Sequence, residues 1–184
     1  LDESIEEMQR AIALDPMTPF PRFFVARARE LKGDFAAAER DYQAARELMP
    51  GYTGAGSYAR LLLRMGRADE ALQVARETVA ADASVTNIVT LGVVQALTGR
   101  REEALASAAQ ARTMAAERWI SPLEFAAMEA ALGNREAAVR HLREAIEARD
   151  FRAPMLGVQP EIEFDVLKND AGFQELIASV RAKP

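Results

Sequence analysis

The stretches GRADEALQVARETVAADA (residues 66–83) and GRREEALASAAQARTMAA (residues 99–116) decide how this chain folds. Both open on glycine, place an alanine five residues later (Ala71, Ala104) and a second one nine residues later (Ala75, Ala108). Twelve residues after the glycine stand Thr78 and Ala111. The same phrase recurs as GDFAAAERDYQAARELMP (residues 33–50) and GNREAAVRHLREAIEARD (residues 133–150), with Ala38, Tyr42 and Ala45, then Ala138, Leu142 and Ala145. The four glycines, Gly33, Gly66, Gly99 and Gly133, stand at almost equal intervals along the chain. Offsets of 5, 9 and 12 share one face at 3.6 residues per turn, so each phrase predicts an amphipathic helix.

The segments ahead of the glycines repeat as well. Eight residues upstream are Val25, Tyr58, Leu91 and Phe125, all apolar, and seven upstream are Ala26, Ala59, Gly92 and Ala126, all small. A small side chain there lets a neighbouring helix approach closely. Each unit therefore predicts helix, glycine turn, helix. Glycine suits a left-handed helix end, which costs a residue with a Cβ roughly 1–2 kcal/mol. Asp34 and Asn134, just past two of the glycines, are expected N-caps.

This pattern resembles the tetratricopeptide repeat family, whose phrase W-x2-L-G-x2-Y, A-x3-F, P recurs with a period of about 34 residues. The residues that carry the resemblance are Leu91-Gly92, Ala38-x3-Tyr42, and Pro16 and Pro50, which lie one such period apart. It covers residues 1–150. Departures are visible: Arg22, Ala55, Ile88 and Pro122 replace the first aromatic, and Arg29, Leu62, Gln95 and Glu129 replace the later tyrosine. Ala83, Ala116 and Asp150 replace the closing proline. The resemblance implies an all-α fold, an α-α superhelix (a solenoid) of helical hairpins. Its expected parts are a half repeat 1–16, then units of about 17–50, 51–83, 84–116 and 117–150, then a C-terminal helical cap 151–184. Shifted by one period, LDESIEEMQRAIALDP (residues 1–16) places Ser4 on Ala38, Met8 on Tyr42 and Ala11 on Ala45. The expectation is a fragment of a longer protein that starts inside a repeat, with self-association through the orphaned helix of residues 1–14.

Residues 151–184 leave the repeat. FRAPMLGVQP (151–160) reads as a connection, and the remainder as two short helices, the second with the stripe Phe173, Leu176, Ile177, Val180 behind an Asp170 cap. A repeat array must close its last apolar face, which such a segment does. The ending also resembles a tail that follows tetratricopeptide arrays in bacterial multidomain signalling proteins, F-D-x-L-R-x-D-P-x-F-x-x-L. Phe164, Asp165, Leu167, Lys168, Asp170, Phe173 and Leu176 match it, and Ala171 stands where the tail has Pro.

Composition and motifs exclude most chemistry. A net charge of −5 disfavours nucleic acid and anionic membrane surfaces, which need clustered Lys and Arg. No apolar run approaches the ~20 residues of a membrane-spanning helix. With no cysteine there are no disulfides, thiolate metal sites or Cys nucleophiles. His141, the single histidine, sits beside Leu142 and reads as structural; no metal or cofactor is expected. GYTGAG (51–56) lacks the order of a phosphate loop and reads as a turn between repeats. The pairs Asp69/Glu70 and Glu102/Glu103 fall at helix starts, where the helix dipole favours them. No enzyme emerges. A cytoplasmic location is expected, any targeting signal lying ahead of Leu1.

The family resemblance implies that the first helix of each unit lines a concave groove. The positions ten and six before each glycine then face inward: Phe23 and Arg27, Gly56 and Arg60, Val89 and Val93, Leu123 and Ala127. Two before it come Leu31, Arg64, Leu97 and Ala131. A groove basic at Arg27, Arg60 and Arg64, and apolar at Phe23, Val89, Val93 and Leu97, suits an acidic or C-terminal peptide. The expected function is a non-catalytic protein–protein interaction scaffold. The alternative is a regulatory or sensor module of a bacterial kinase, cyclase or transcription regulator, binding a small ligand or a sister domain.

Overall fold

The structure is a computed structural model, and its described residues are 1–51, 54–117, 119–150, 152–158 and 161–181. All elements among them are helical. Two compact units divide the chain, Leu1–Ala83 and Ser84–Pro184. The first holds α1 (Asp2–Leu14), α2 (Pro19–Leu31), α3 (Phe35–Leu48), α4 (Ala55–Arg64) and α5 (Ala68–Ala81). The second holds α6 (Val85–Leu97), α7 (Arg101–Ala115), α8 (Pro122–Ala131), α9 (Arg135–Glu147), α10 (Ala153–Val158), a 3-10 helix (Ile162–Leu167) and α11 (Ala171–Arg181). Helices α2 and α3, α4 and α5, α6 and α7, and α8 and α9 pair as hairpins.

The glycine turns account for those hairpins. Gly33, Gly66, Gly99 and Gly133 have φ of 80°, 77°, 79° and 83°, in the left-handed region. In each turn the residue after glycine donates its N–H to a carbonyl five residues back: Asp34 to Arg29, Arg67 to Leu62, Arg100 to Gln95 and Asn134 to Glu129, at 2.8–3.0 Å. These bonds satisfy carbonyls that a helix end otherwise leaves without partners. The next helix then runs back against the first. The alanines at the repeat offsets are sealed between them: Ala38, Ala71, Ala104 and Ala138 are all fully buried.

The small positions seven before each glycine behave as expected. Ala26, Ala59 and Ala126 have no exposed surface. At Gly92 side chains of two neighbouring helices fill the space a Cβ would take, since a Cβ there would meet Met128 Cε at 2.4 Å and Ser107 Cβ at 3.0 Å. Gly92 thus lets α8 and α7 converge on α6.

Two local expectations differ from the structure. Asp34 caps α3 by accepting from the Ala37 N–H at 3.2 Å, but the Asn134 side chain makes no cap bond. Its amide donates instead to the buried Glu129 carboxylate, 2.6 Å away. The connection after the last hairpin contains a short helix, α10, because Pro154 is tolerated in a first turn and Gly157 lets α11 press in. A Cβ at Gly157 would stand 3.0 Å from Arg181 Cγ. Phe151, Gln159 and Pro160 of that connection lie outside the described residues. Beyond it, Asp170 caps α11 by accepting from the Phe173 N–H at 2.9 Å, and Phe173 and Ile177 are buried with Phe164 and Leu167.

At the end of α9 the same left-handed turn is made by Arg149, with φ of 55°. Gly99→Val, at a position with no atom within 4 Å of an added Cβ, should therefore cost about 1–2 kcal/mol from backbone strain alone. Arg149→Gly should run the other way, gaining up to about 1 kcal/mol. Denaturant midpoints at unchanged helical circular dichroism check both signs.

Candidate functional site

In the first unit, α2 and α4 carry the residues expected at the groove. Phe23 and Arg27 stand one turn apart on α2, and Arg60 and Arg64 one turn apart on α4. Helix geometry adds Phe20, Phe24 and Leu31 to the Arg27 stripe, at spacings of four, three and four. Phe20 and Phe24 are 48% and 51% exposed.

Beneath this stripe lies a group that the sequence pattern does not single out. The Glu30 side chain has no exposed surface. Its Oε2 accepts from Arg27 Nη1 at 2.9 Å and from the Tyr42 hydroxyl of α3 at 2.9 Å. Its Oε1 faces Arg64 Nε of α4 at 3.6 Å. Arg27 and Arg64 are mostly covered, with 11% and 17% of their side chains exposed. Both of these expected groove cations are thus ion-paired to an internal carboxylate. Removing a buried charge's partner costs about 3–5 kcal/mol, so this cluster ties α2, α3 and α4 together. A row of rings does so too: Phe23 lies 5.3 Å from Phe24 and 5.9 Å from Tyr42, and Tyr42 lies 6.0 Å from Tyr58.

A cleft of about 430 Å³ opens elsewhere in this unit, between α3 and α5 above Tyr58 and Leu62 of α4. Its rim is already paired: Arg46 with Glu77 at 3.0 Å, and Glu70 with Arg67 at 2.6 Å. Tyr58 accepts from Gln43 and donates to Glu39, both at 3.0 Å; burial first, then the adjacent Glu39 carboxylate, pushes its phenol up. Gly51 is pressed against Asp82, where a Cβ would meet Asp82 Cβ at 2.8 Å. That contact gives GYTGAG a steric role, and Tyr52 and Thr53 lie outside the described residues.

In the second unit the expected groove residues lie differently. Val89 and Val93 of α6 are fully buried, whereas Leu97 is 39% exposed. With no exposed surface the two valines pack the interior. Helix α8 is buried around most of its circumference, and the 3-10 helix packs on it.

Buried carboxylates and amides of this unit are held by specific donors. Glu129 accepts from Arg112 at 2.5 Å, and Gln95 accepts from the Ser107 hydroxyl at 2.8 Å. Glu124 accepts from Arg152 at 2.7 Å and from Thr86 at 3.2 Å. Arg152 also bonds Asp150 through its backbone N–H at 2.8 Å, and the Ser121 hydroxyl donates to the same carboxylate. His141 sits against the Phe125 ring, 5.8 Å away, with Nδ1 2.8 Å from Glu144. Among the described residues no group of three or more His, Asp or Glu could hold a metal ion. No helix among them is long and apolar enough to cross a membrane.

Residues 31–91 match the tetratricopeptide repeat family model. That stretch is tetratricopeptide repeat sequence. No curated protein matches it in sequence. Among solved structures it is similar to TTC0263, a thermophilic tetratricopeptide repeat protein of Thermus thermophilus. That match has a TM-score of 0.60 at 20% identity and covers 96% of this chain and 88% of that one. It is also similar to PilW, a widely conserved type IV pilus biogenesis factor, with a TM-score of 0.52 at 18% identity over 96% and 82% of the two chains. At these identities the likeness establishes the tetratricopeptide-like helical fold.

The Asp150 cluster makes a pH-dependent prediction. Burial alone would raise the Asp150 carboxyl, but the Ser121 hydroxyl, the Arg152 N–H and the Arg152 guanidinium together hold it below its ordinary value. A depressed folded-state pKa stabilises the fold above the unfolded-state pKa, and the contribution is lost as pH falls through the folded value. Asp150→Asn should therefore be less stable than the parent at pH 7, with the gap closing on acidification. Urea midpoints measured at stepwise lower pH check this; a gap constant with pH contradicts it.

Proposed function

We propose that this chain is a non-catalytic interaction scaffold whose α2 and α4 face receives a peptide or partner protein rich in carboxylates. Tetratricopeptide repeat proteins are generally interaction scaffolds without catalytic activity, and protein partners follow from the fold. In this reading residues 17–150 make four hairpin repeats behind the half repeat 1–16, and 151–184 cap them.

The observation that carries the choice of face is the contrast between helices. On α2 the half-exposed Phe20 and Phe24 share a stripe with Arg27, whereas Val89 and Val93 on α6 are enclosed. Exposed aromatic rings beside arginine are the composition of interface anchors. Arg60 on α4, partly exposed, adds a further cation to this face. Self-association through α1 belongs to the same reading. Its Ser4, Met8 and Ala11 correspond to the buried Ala38, Tyr42 and Ala45 of α3, yet no residue of α1 is buried.

The test is fluorescence anisotropy with a fluorescein-labelled Glu-Phe-Glu-Phe-Glu-Phe peptide. Arg60→Glu should weaken its binding at least about tenfold, as loss and reversal of a charge-assisted contact predict. Its melting midpoint should move by no more than a few degrees. Arg140→Glu, the same charge change on the exposed side of α9, should bind like the parent. Equal binding by Arg60→Glu and the parent contradicts the assignment.

A further inference from the structure

The hairpin scaffold does not by itself account for Glu30. A carboxylate with no exposed surface is costly to bury, and an alanine-packed hairpin could be closed without it. Glu30 comes three residues before Gly33, at the C-terminal end of α2, and touches groups from three helices: Arg27 on its own, Tyr42 on α3 and Arg64 on α4. Both of these cationic partners belong to the face proposed to meet the ligand.

Electrostatically, Glu30 meets Arg27 and Arg64 from the inner side of the face. Arg27, Arg60 and Arg64 each carry a positive charge, and Glu30 places a negative charge against two of them, Arg27 and Arg64, from within. The two guanidiniums it engages are covered on its side and keep only narrow outward edges. An arriving carboxylate therefore meets cations already partly satisfied, in a region where burial limits screening. Tyr42 holds the internal carboxylate in place by donating to the same oxygen as Arg27.

Building on the scaffold reading, we propose that Glu30 is an internal counter-carboxylate that sets the affinity and salt dependence of the α2–α4 face for acidic peptides. It damps the positive charge that the face presents. Each further carboxylate on a peptide meets the same internal repulsion, so the damping grows with carboxylate number and keeps densely acidic partners exchangeable.

The experiment is anisotropy with the fluorescein-labelled Glu-Phe-Glu-Phe-Glu-Phe peptide, and with a Gln-Phe-Gln-Phe-Glu-Phe peptide carrying fewer carboxylates, across a salt series. Glu30→Gln keeps the shape and removes the charge. It should bind the more acidic peptide more tightly, by about five- to tenfold for a unit charge at this range, and with a steeper fall in affinity as salt rises. The gain should be smaller for the peptide with fewer carboxylates. Should Glu30→Gln fail to fold, Glu30→Met, which removes the charge without leaving a buried amide, carries the same expectation. Unchanged or weaker binding by the folded variant overturns the proposal and shows Glu30 acting only as a brace for the arginines. If Arg60→Glu loses binding while Glu30→Gln matches the parent, the scaffold reading stands and this proposal fails. If Arg60→Glu binds like the parent, the face itself is misassigned and the proposal falls with it.

Discussion

Everything in this fold depends on two α-helices being able to turn back and lie close together once in every repeat. Two residue choices make that possible. A glycine supplies the left-handed turn, and alanines at fixed offsets remove the side chains that would hold the helices apart. The fully buried Ala38, Ala71, Ala104 and Ala138 each sit five residues past their glycine. Because the contact is made by methyl groups, each hairpin buries little apolar area per residue, and stability rests on many such contacts. Larger side chains, Tyr42, Leu142 and Met128 among them, then fill the spaces between the helices.

Onto this regular frame the chain adds buried charge. Glu30, Glu124, Glu129, Asp150 and Glu163 are all buried. Most of them are held by arginine or by neutral donors from a different helix, so they bind elements that alanine contacts leave loosely specified. Such pairs contribute little net stability against an apolar replacement, yet breaking one partner away is expensive. Their surroundings differ between the units. In the first unit the internal carboxylate pairs with mostly covered arginines on a helix that also carries the half-exposed Phe20 and Phe24, and on its neighbour; in the second, the pairs close an interior that already encloses Val89 and Val93.

The repeating part of the fold was legible in the sequence because its cause is local. A glycine at a helix end marks a left-handed turn, and the alanine offsets follow from helical geometry alone. The C-terminal stripe of Phe173 and Ile177 was legible for the same reason. The charge pairing was not, since it depends on which helices meet. Its traces were nonetheless present as departures from the family phrase. Arg29 and Gln95 stand where the family has tyrosine, and each pairs with the residue twelve positions on, Asp41 at 2.5 Å and Ser107 at 2.8 Å. Glu129, the third polar residue among the four departures, bonds Arg112 and Asn134 instead. Asn134 looked like a helix cap because nothing local revealed that Glu129 would claim its amide. The pairing of Arg27 and Arg64 with Glu30 was hidden because Glu30 lies on the covered side of its helix.

The central claim is that partner contact falls on α2 and α4, while α6 and α8 serve as packed interior. Amide chemical-shift mapping of the isotope-labelled chain during titration with the Glu-Phe-Glu-Phe-Glu-Phe peptide tests it most directly. Shifts concentrated on residues 19–31 and 55–64, with α6 and α8 unmoved, are the predicted result. Shifts centred on α6 and α8, or on α3 and α5 around the outer cleft, would contradict it.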